Sequence, residues 1–69
     1  MITAGIDVGS ISAKAALFQD NKVLATCVIL TGYNSQNAGR QVFDLVLAQA
    51  GLEAGGVEKI VATGYGRNS

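Results

Sequence analysis

The stretch Gly5-Ile6-Asp7-Val8-Gly9-Ser10 determines how the chain begins to fold, because it ends a strand and opens a bend. From Ile2 to Val8 an apolar residue stands at every second position, which is the periodicity of a β-strand. Gly9-Ser10 interrupts that alternation. Gly5, inside the strand, predicts that another element approaches the backbone closely at that point. We therefore interpret residues 2–8 as a strand that leads into a hairpin.

The residues that follow this stretch are predicted to form three more strands and one helix. Residues 11–18 and 23–30 read as strands joined by a tight turn at Asp20-Asn21, since both residues tolerate positive φ. Residues 36–50 read as a helix, capped by Ser35 or Asn34 at its start and by Gly51 at its end. Residues 57–63 read as the last strand.

The order β-β-β-α-β predicts an α/β fold with a mixed four-stranded sheet in the spatial order 3-2-1-4 and one helix on one face. The helix has a broad apolar side. Its predicted members are Val42, Phe43, Leu45, Val46, Leu47 and Ala50. We expect the opposite face of the sheet to be apolar and bare, which favours a homodimer or a higher oligomer.

Composition excludes several classes of function. Five basic and five acidic residues give a net charge of zero, so nucleic-acid binding has no basic patch to support it. No apolar run approaches the ~20 residues of a membrane span. The single cysteine, Cys27, suits a reducing compartment, and we expect the cytoplasm. Hydrophobic residues make up 49% of the chain, an excess that predicts surface to be covered by more polypeptide or by another copy.

The bend after the first strand combines residue types that bind phosphate and magnesium. Gly9 has no side chain, so a ligand can approach the backbone, and the amides of a bend can form an anion-binding concavity. Ser10 adds a hydroxyl, Lys14 an ammonium group, and Asp7 a carboxylate that suits Mg²⁺ through water. The same Asp-x-Gly-Ser pattern is also ordinary turn chemistry. From these residues alone, both interpretations stay open.

The resemblance of longer stretches of this sequence to a known superfamily favours the interpretation of the bend as a phosphate-binding site. Gly5-Ile6-Asp7-Val8-Gly9-Ser10, followed by Ser12-Ala13-Lys14, resembles the first phosphate motif of the superfamily of acetate kinases, sugar kinases, chaperones and actin. The order of elements is similar to the opening of its ribonuclease-H-like, actin-like ATPase fold. Ala62-Thr63-Gly64-Tyr65-Gly66-Arg67-Asn68-Ser69 resembles the signature of one branch, the BadF/BadG/BcrA/BcrD-type ATPases that activate 2-hydroxyacyl-CoA dehydratases or serve benzoyl-CoA reductase.

This resemblance implies an ATPase that binds ATP and Mg²⁺ between two lobes. It also implies a homodimer with an iron–sulfur cluster at its interface, and electron transfer into a partner dehydratase or reductase. By this resemblance, Asp7 is the catalytic residue. It organises both Mg²⁺, which it binds through water, and the hydrolytic water. Gly9 and Ser10 hold phosphate, and Lys14 contacts the β- and γ-phosphates. Ile11 departs from the pattern, because many relatives have Thr there.

Residues 1–69 are therefore expected to form a single partial domain, the N-terminal portion of such an ATPase. The cluster cysteines of the family lie beyond this sequence, and Cys27 is interpreted as a core thiol. We expect these residues alone to be inactive and to bind ATP weakly or not at all. Two alternatives stay open: part of a sugar or metabolite kinase of the same superfamily, and a non-catalytic assembly module.

Overall fold

The structure is a computed structural model that describes residues 1–30 and 35–64, with only the backbone described for residues 35, 36 and 64. Within these residues the elements are β1 (Ile2–Val8), β2 (Ser12–Gln19), β3 (Lys22–Leu30), α1 (Ser35–Ala50), a short 3₁₀ turn (Ala54–Gly56) and β4 (Lys59–Gly64). The strands form one sheet in the order β3-β2-β1-β4. β1 pairs antiparallel with β2 and parallel with β4. The predicted element order and strand order are confirmed.

Helix α1 covers one face of the sheet, and the hydrophobic core lies between them. The strand residues of the core are the alternate positions of β1 and β2, as their periodicity predicts. The helix contributes positions that recur every three or four residues. The buried core consists of Ala4, Ile6, Val8, Ala13, Ala15, Leu17, Ala38, Val42, Phe43, Val46 and Leu47. Cys27 is half-buried and packs against this core, as predicted.

Gly39 lets α1 lie close to β1. A Cβ atom at position 39 would be 3.2 Å from Cγ2 of Val8 and 3.8 Å from Cγ2 of Ile6. Our sequence interpretation instead assigned a close approach to Gly5, where a Cβ would lie 3.7 Å from Cε2 of Phe18, an ordinary van der Waals distance. That expectation is wrong for the residues that the structure describes. The glycine that permits close packing is in the helix.

Local turn chemistry sets two of the chain reversals. Asp20 and Asn21 both have positive φ, 51° and 69°, and join paired Gln19 and Lys22 as a two-residue hairpin loop of type I′ character. At the end of α1, Gly51 has φ 70°. The Leu52 N–H donates to the Leu47 carbonyl at 2.9 Å and the Gly51 N–H to the Ala48 carbonyl at 3.2 Å, which is a Schellman cap. Both predictions are confirmed.

Two strand starts and the placement of one side chain illustrate where the structure differs from the sequence interpretation. β2 begins at Ser12 rather than at Ile11, which lies in the bend and is 75% exposed. β4 begins at Lys59, because Val57 closes the 3₁₀ turn by donating to the Ala54 carbonyl at 3.1 Å. Leu45 was predicted on the packed side of the helix but is 47% exposed. The proposed N-cap at Asn34 lies outside the described residues, and so does the side chain of Ser35.

In the part of the chain that the structure describes, no element packs on the second face of the sheet, as predicted, but this open face is mixed rather than apolar. It carries exposed Phe18, Val28 and Val61 together with exposed Lys14 and Thr63. Cross-strand partners share a face, so the register places these residues on the side away from the core. The correction arises because the polar positions of β1, β2 and β4 also point to this side. Among the described residues, no helix combines the length and the apolar character needed to cross a bilayer.

The core assignment predicts a contrast between two leucines. Leu17 is fully buried and Leu45 is 47% exposed. Leu17→Ala is expected to lower the free energy of unfolding by about 3 kcal/mol, since it removes buried methyl groups and leaves a cavity. Leu45→Ala is the matched control and is expected to cost less than about 1 kcal/mol. Urea denaturation measures both, and equal losses would contradict the assigned core.

The open face predicts self-association. We expect the chain to be a dimer or larger in sedimentation velocity at low micromolar concentration, because the face exposes apolar side chains beside an unpaired strand edge. Val28, which is 62% exposed, is the residue to change. Val28→Glu is expected to shift the chain toward monomer, whereas Leu45→Glu on the outer side of the helix leaves association unchanged. A wild-type monomer would show that the open face does not drive assembly.

Candidate functional site

Asp7, Lys14 and Thr63 lie side by side on the open face, in one row across β2, β1 and β4. Antiparallel pairing makes Lys14 the partner of Asp7, and parallel pairing makes Thr63 its partner on the other side. Directly opposed residues of an antiparallel pair have Cβ atoms ~4.5–5.5 Å apart. An ammonium group, a carboxylate and a hydroxyl therefore occupy neighbouring positions, and all three side chains are exposed. The structure brings the predicted Asp7–Lys14 pair together.

The bend between β1 and β2 places Gly9 and Ser10 directly after this row. The Gly9 N–H donates to the Ser12 carbonyl oxygen at 2.7 Å, which closes the bend. A Cβ atom at position 9 would lie 3.2 Å from the same oxygen. The lack of a side chain at Gly9 thus fits the tight bend, and the Gly9 N–H is already bonded within the hairpin. Ser10 is exposed beside it. All four predicted site residues lie at one end of the β1–β2 hairpin.

The Asp7 carboxylate has a partner that sequence reasoning missed. The hydroxyl of Thr63 donates to Oδ1 of Asp7 at 3.3 Å, across 56 positions of sequence. The signal was present, because Asp7 and Thr63 each stand near the carboxyl end of a strand, and the carboxyl ends of parallel strands meet at one edge. We predicted both strands and their parallel pairing, but not the residue-by-residue register.

An open cavity of about 430 Å³ adjoins the row. Its floor is formed by the small residues Gly5 and Ala16, and Phe18 and Val28 stand at its sides. Asp7, Lys14 and Thr63 also line it. The polar row is therefore the edge of a largely apolar concavity that opens to solvent.

The residues of the row fit a magnesium–phosphate ligand. Mg²⁺ is usually bound by one or two carboxylates together with water and substrate phosphates, and Asp7 presents one exposed carboxylate. Lys14 supplies a point charge for phosphate oxygens. No group of three His, Cys, Asp or Glu side chains that would hold a metal by itself occurs among residues 1–30 and 35–64.

An iron–sulfur cluster does not fit this chain. Such clusters are generally held by four cysteine thiolates, and the sequence has one cysteine, Cys27. That thiol is half-buried against the core rather than grouped with other ligands. We derive no step through a cluster from these residues.

Comparison with known proteins gives the family. The model of the BadF/BadG/BcrA/BcrD ATPase family matches residues 4–69. The chain belongs to this family. The activator of lactoyl-CoA dehydratase from Anaerotignum propionicum is 41% identical over 68 residues, which are 97% of this chain and 26% of that protein. The resemblance inferred from the two sequence motifs is therefore confirmed.

Two solved structures confirm the fold. The crystal structure of (R)-2-hydroxyglutaryl-CoA dehydratase component A from Acidaminococcus fermentans superposes with a TM-score of 0.89 at 30% identity, and the match covers 99% of this chain and 26% of that one. The activator of 2-hydroxyisocaproyl-CoA dehydratase from Clostridium difficile, solved with bound ADPNP, gives a TM-score of 0.83 at 30% identity and covers 99% and 25%. The chain thus spans about a quarter of the length of these relatives.

The geometry of the bend predicts that Gly9 is needed without a side chain. In Gly9→Ala the new Cβ would press on the Ser12 oxygen, 3.2 Å away. That oxygen cannot move freely, since it accepts the Gly9 N–H and belongs to the first residue of β2. We expect a loss of about 1 kcal/mol in the free energy of unfolding. Gly55→Ala is the control, because nothing lies within 4 Å of its Cβ position. A Gly9→Ala protein as stable as the Gly55→Ala protein would contradict this account of the bend.

Proposed function

We propose that this chain is the phosphate-binding portion of an ATPase that activates a 2-hydroxyacyl-CoA dehydratase or a benzoyl-CoA reductase. The observation that carries the proposal is the pair of Asp7 and Lys14 on adjacent strands, one on each side of the bend at Gly9 and Ser10. A carboxylate, an ammonium group and a serine hydroxyl around one bend make a site for the charged end of Mg-ATP. The family match and the nucleotide analogue bound to one relative support this choice of ligand.

Each residue has a proposed role. Asp7 holds Mg²⁺ through water and orients the attacking water, since a carboxylate is the group that binds both. Lys14 contacts the β- and γ-phosphates and offsets the charge that develops on them. Ser10 donates to a phosphate oxygen, and Gly9 lets that oxygen come close to the backbone. Magnesium, when bound, neutralises phosphate charge. In this role the four residues position the nucleotide and polarise its phosphates, and they form no covalent intermediate.

The wider assignment follows from the relatives. Their names identify them as activators of dehydratases, which favours a dehydratase as the partner enzyme over the kinase alternative. We propose that the protein hydrolyses ATP to drive an electron into that partner, and that it works as a homodimer or a higher oligomer. The free thiol of Cys27 suits a reducing compartment such as the cytoplasm. In this proposal, residues 1–69 form a single partial domain, the N-terminal portion of the ATPase.

A titration of the ¹⁵N-labelled chain with Mg-ATP, followed by amide chemical shifts, tests the site. We expect weak, millimolar binding, because the site lies on an open face where charges are screened by water. The shifted amides are expected to cluster at Asp7, Gly9, Ser10 and Lys14. The double variant Asp7→Ala/Lys14→Ala is expected to bind at least about tenfold more weakly, since charge-assisted bonds to phosphate are lost.

The matched control is Asp44→Ala/Lys59→Ala. It removes the same two residue types from exposed positions on α1 and β4 and leaves the net charge equal. Its affinity for Mg-ATP is expected to equal that of the wild type. Shifts spread over the helix, or equal affinities for the two double variants, would show that the hairpin end is not the nucleotide site.

A further inference from the structure

We propose that Thr63 is a positioning residue that fixes the Asp7 carboxylate for the metal of the bound nucleotide. The inference rests on the proposed function, because it concerns the same carboxylate. Its basis is the hydrogen bond that the Thr63 hydroxyl donates to Oδ1 of Asp7 at 3.3 Å. The two residues are Cα partners in the parallel pairing of β1 and β4.

The backbone holds both ends of this bond. Asp7 is the sixth of the seven residues of β1, and Thr63 is the fifth of the six residues of β4. Their neighbours are also paired, Ile6 with Ala62 and Val8 with Gly64. Threonine is β-branched, so its χ1 has few alternatives in a strand and its hydroxyl is held in place. A bond between two such positions restrains the rotation of the carboxylate.

The bond leaves the carboxylate able to bind metal. An ionised carboxylate has about four lone-pair sites, and the Thr63 hydroxyl uses one of them on Oδ1. Lys14 stands on the opposite side of Asp7, on β2. Asp7 is thus placed between a neutral donor and a cation, and the neutral donor can orient the carboxylate without competing with Mg²⁺ for charge. A hydroxyl therefore suits this side better than a second ammonium group.

The test uses Mn²⁺ with ATP as a paramagnetic probe on the ¹⁵N-labelled chain. In the wild type, Mn-ATP is expected to broaden the amide signals of Asp7, Val8 and Thr63 selectively. In Thr63→Val the Mn-ATP concentration at half-broadening is expected to rise about fivefold, the effect of losing an exposed hydrogen bond to a charged group. Thr63→Ser keeps the hydroxyl and is expected to stay within about twofold of the wild type.

Two controls separate positioning from folding. Thr3→Val makes the same change at another position on the open face of β1, roughly 13 Å from Asp7 along the strand, and is expected to leave the half-broadening concentration unchanged. ATP with a chelator in place of metal is expected to shift the amides equally in the wild type and in Thr63→Val. If Thr63→Val does not fold, Thr63→Ala serves in its place.

The outcomes distinguish this inference from the proposed function. Selective broadening in the wild type with equal half-broadening concentrations in Thr63→Val would overturn the role of Thr63 alone. A wild type without selective broadening near Asp7 would overturn both. A loss in Thr63→Val that appears equally for metal-free ATP, or that Thr63→Ser does not restore, would show a structural effect rather than positioning of the metal-binding carboxylate.

Discussion

The pairing of β1 on both sides is the constraint on which the fold and the candidate site both depend. β1 lies between antiparallel β2 and parallel β4, and its alternation assigns Ile6 and Val8 to the core and Asp7 to the open face. A slip of one residue would exchange the faces of every side chain in the strand. It would bury the Asp7 carboxylate without a partner, which costs several kcal/mol or more. The register that stabilises the core is therefore the register that presents the site.

The packing beneath the site follows from small residues on both layers. Gly39 of α1 lies against Ile6 and Val8, which flank Asp7 in sequence. Ala13 and Ala15 of β2 are also buried under the helix. Small side chains let the helix axis approach the sheet, so the backbone around Asp7 is held from below while its side chain remains in solvent. Close packing of this kind is what gives a strand end a fixed position.

Predictions from the sequence were right where the structure depends on neighbouring residues in the chain. They were wrong where it depends on which distant residues pack against a position. The alternation in β1 and the Asp20–Asn21 turn can each be recognised from consecutive residues, and both are confirmed. Gly5 and Gly39 look alike as isolated glycines, and only the tertiary contact shows that Gly39 is the close approach. Leu45 fits an apolar helical stripe, but the side of α1 that packs on the sheet is narrower than that stripe and leaves Leu45 47% exposed. For the site, Asp7 and Lys14 were predicted from a motif, whereas Thr63 required a register that no local pattern encodes.

The strength of the site depends on what covers the open face. Two unit charges 4 Å apart interact by about 1 kcal/mol in water and by about 4 kcal/mol at the effective dielectric constant of a protein surface. In this chain Asp7 and Lys14 are exposed, so water screens their interaction with any other charge. A layer packed over the concavity beside them would exclude water, lower the local dielectric constant and strengthen each of these interactions. Covering the open face would therefore also strengthen the interactions of the candidate site, because the apolar residues and the charged residues line one cavity.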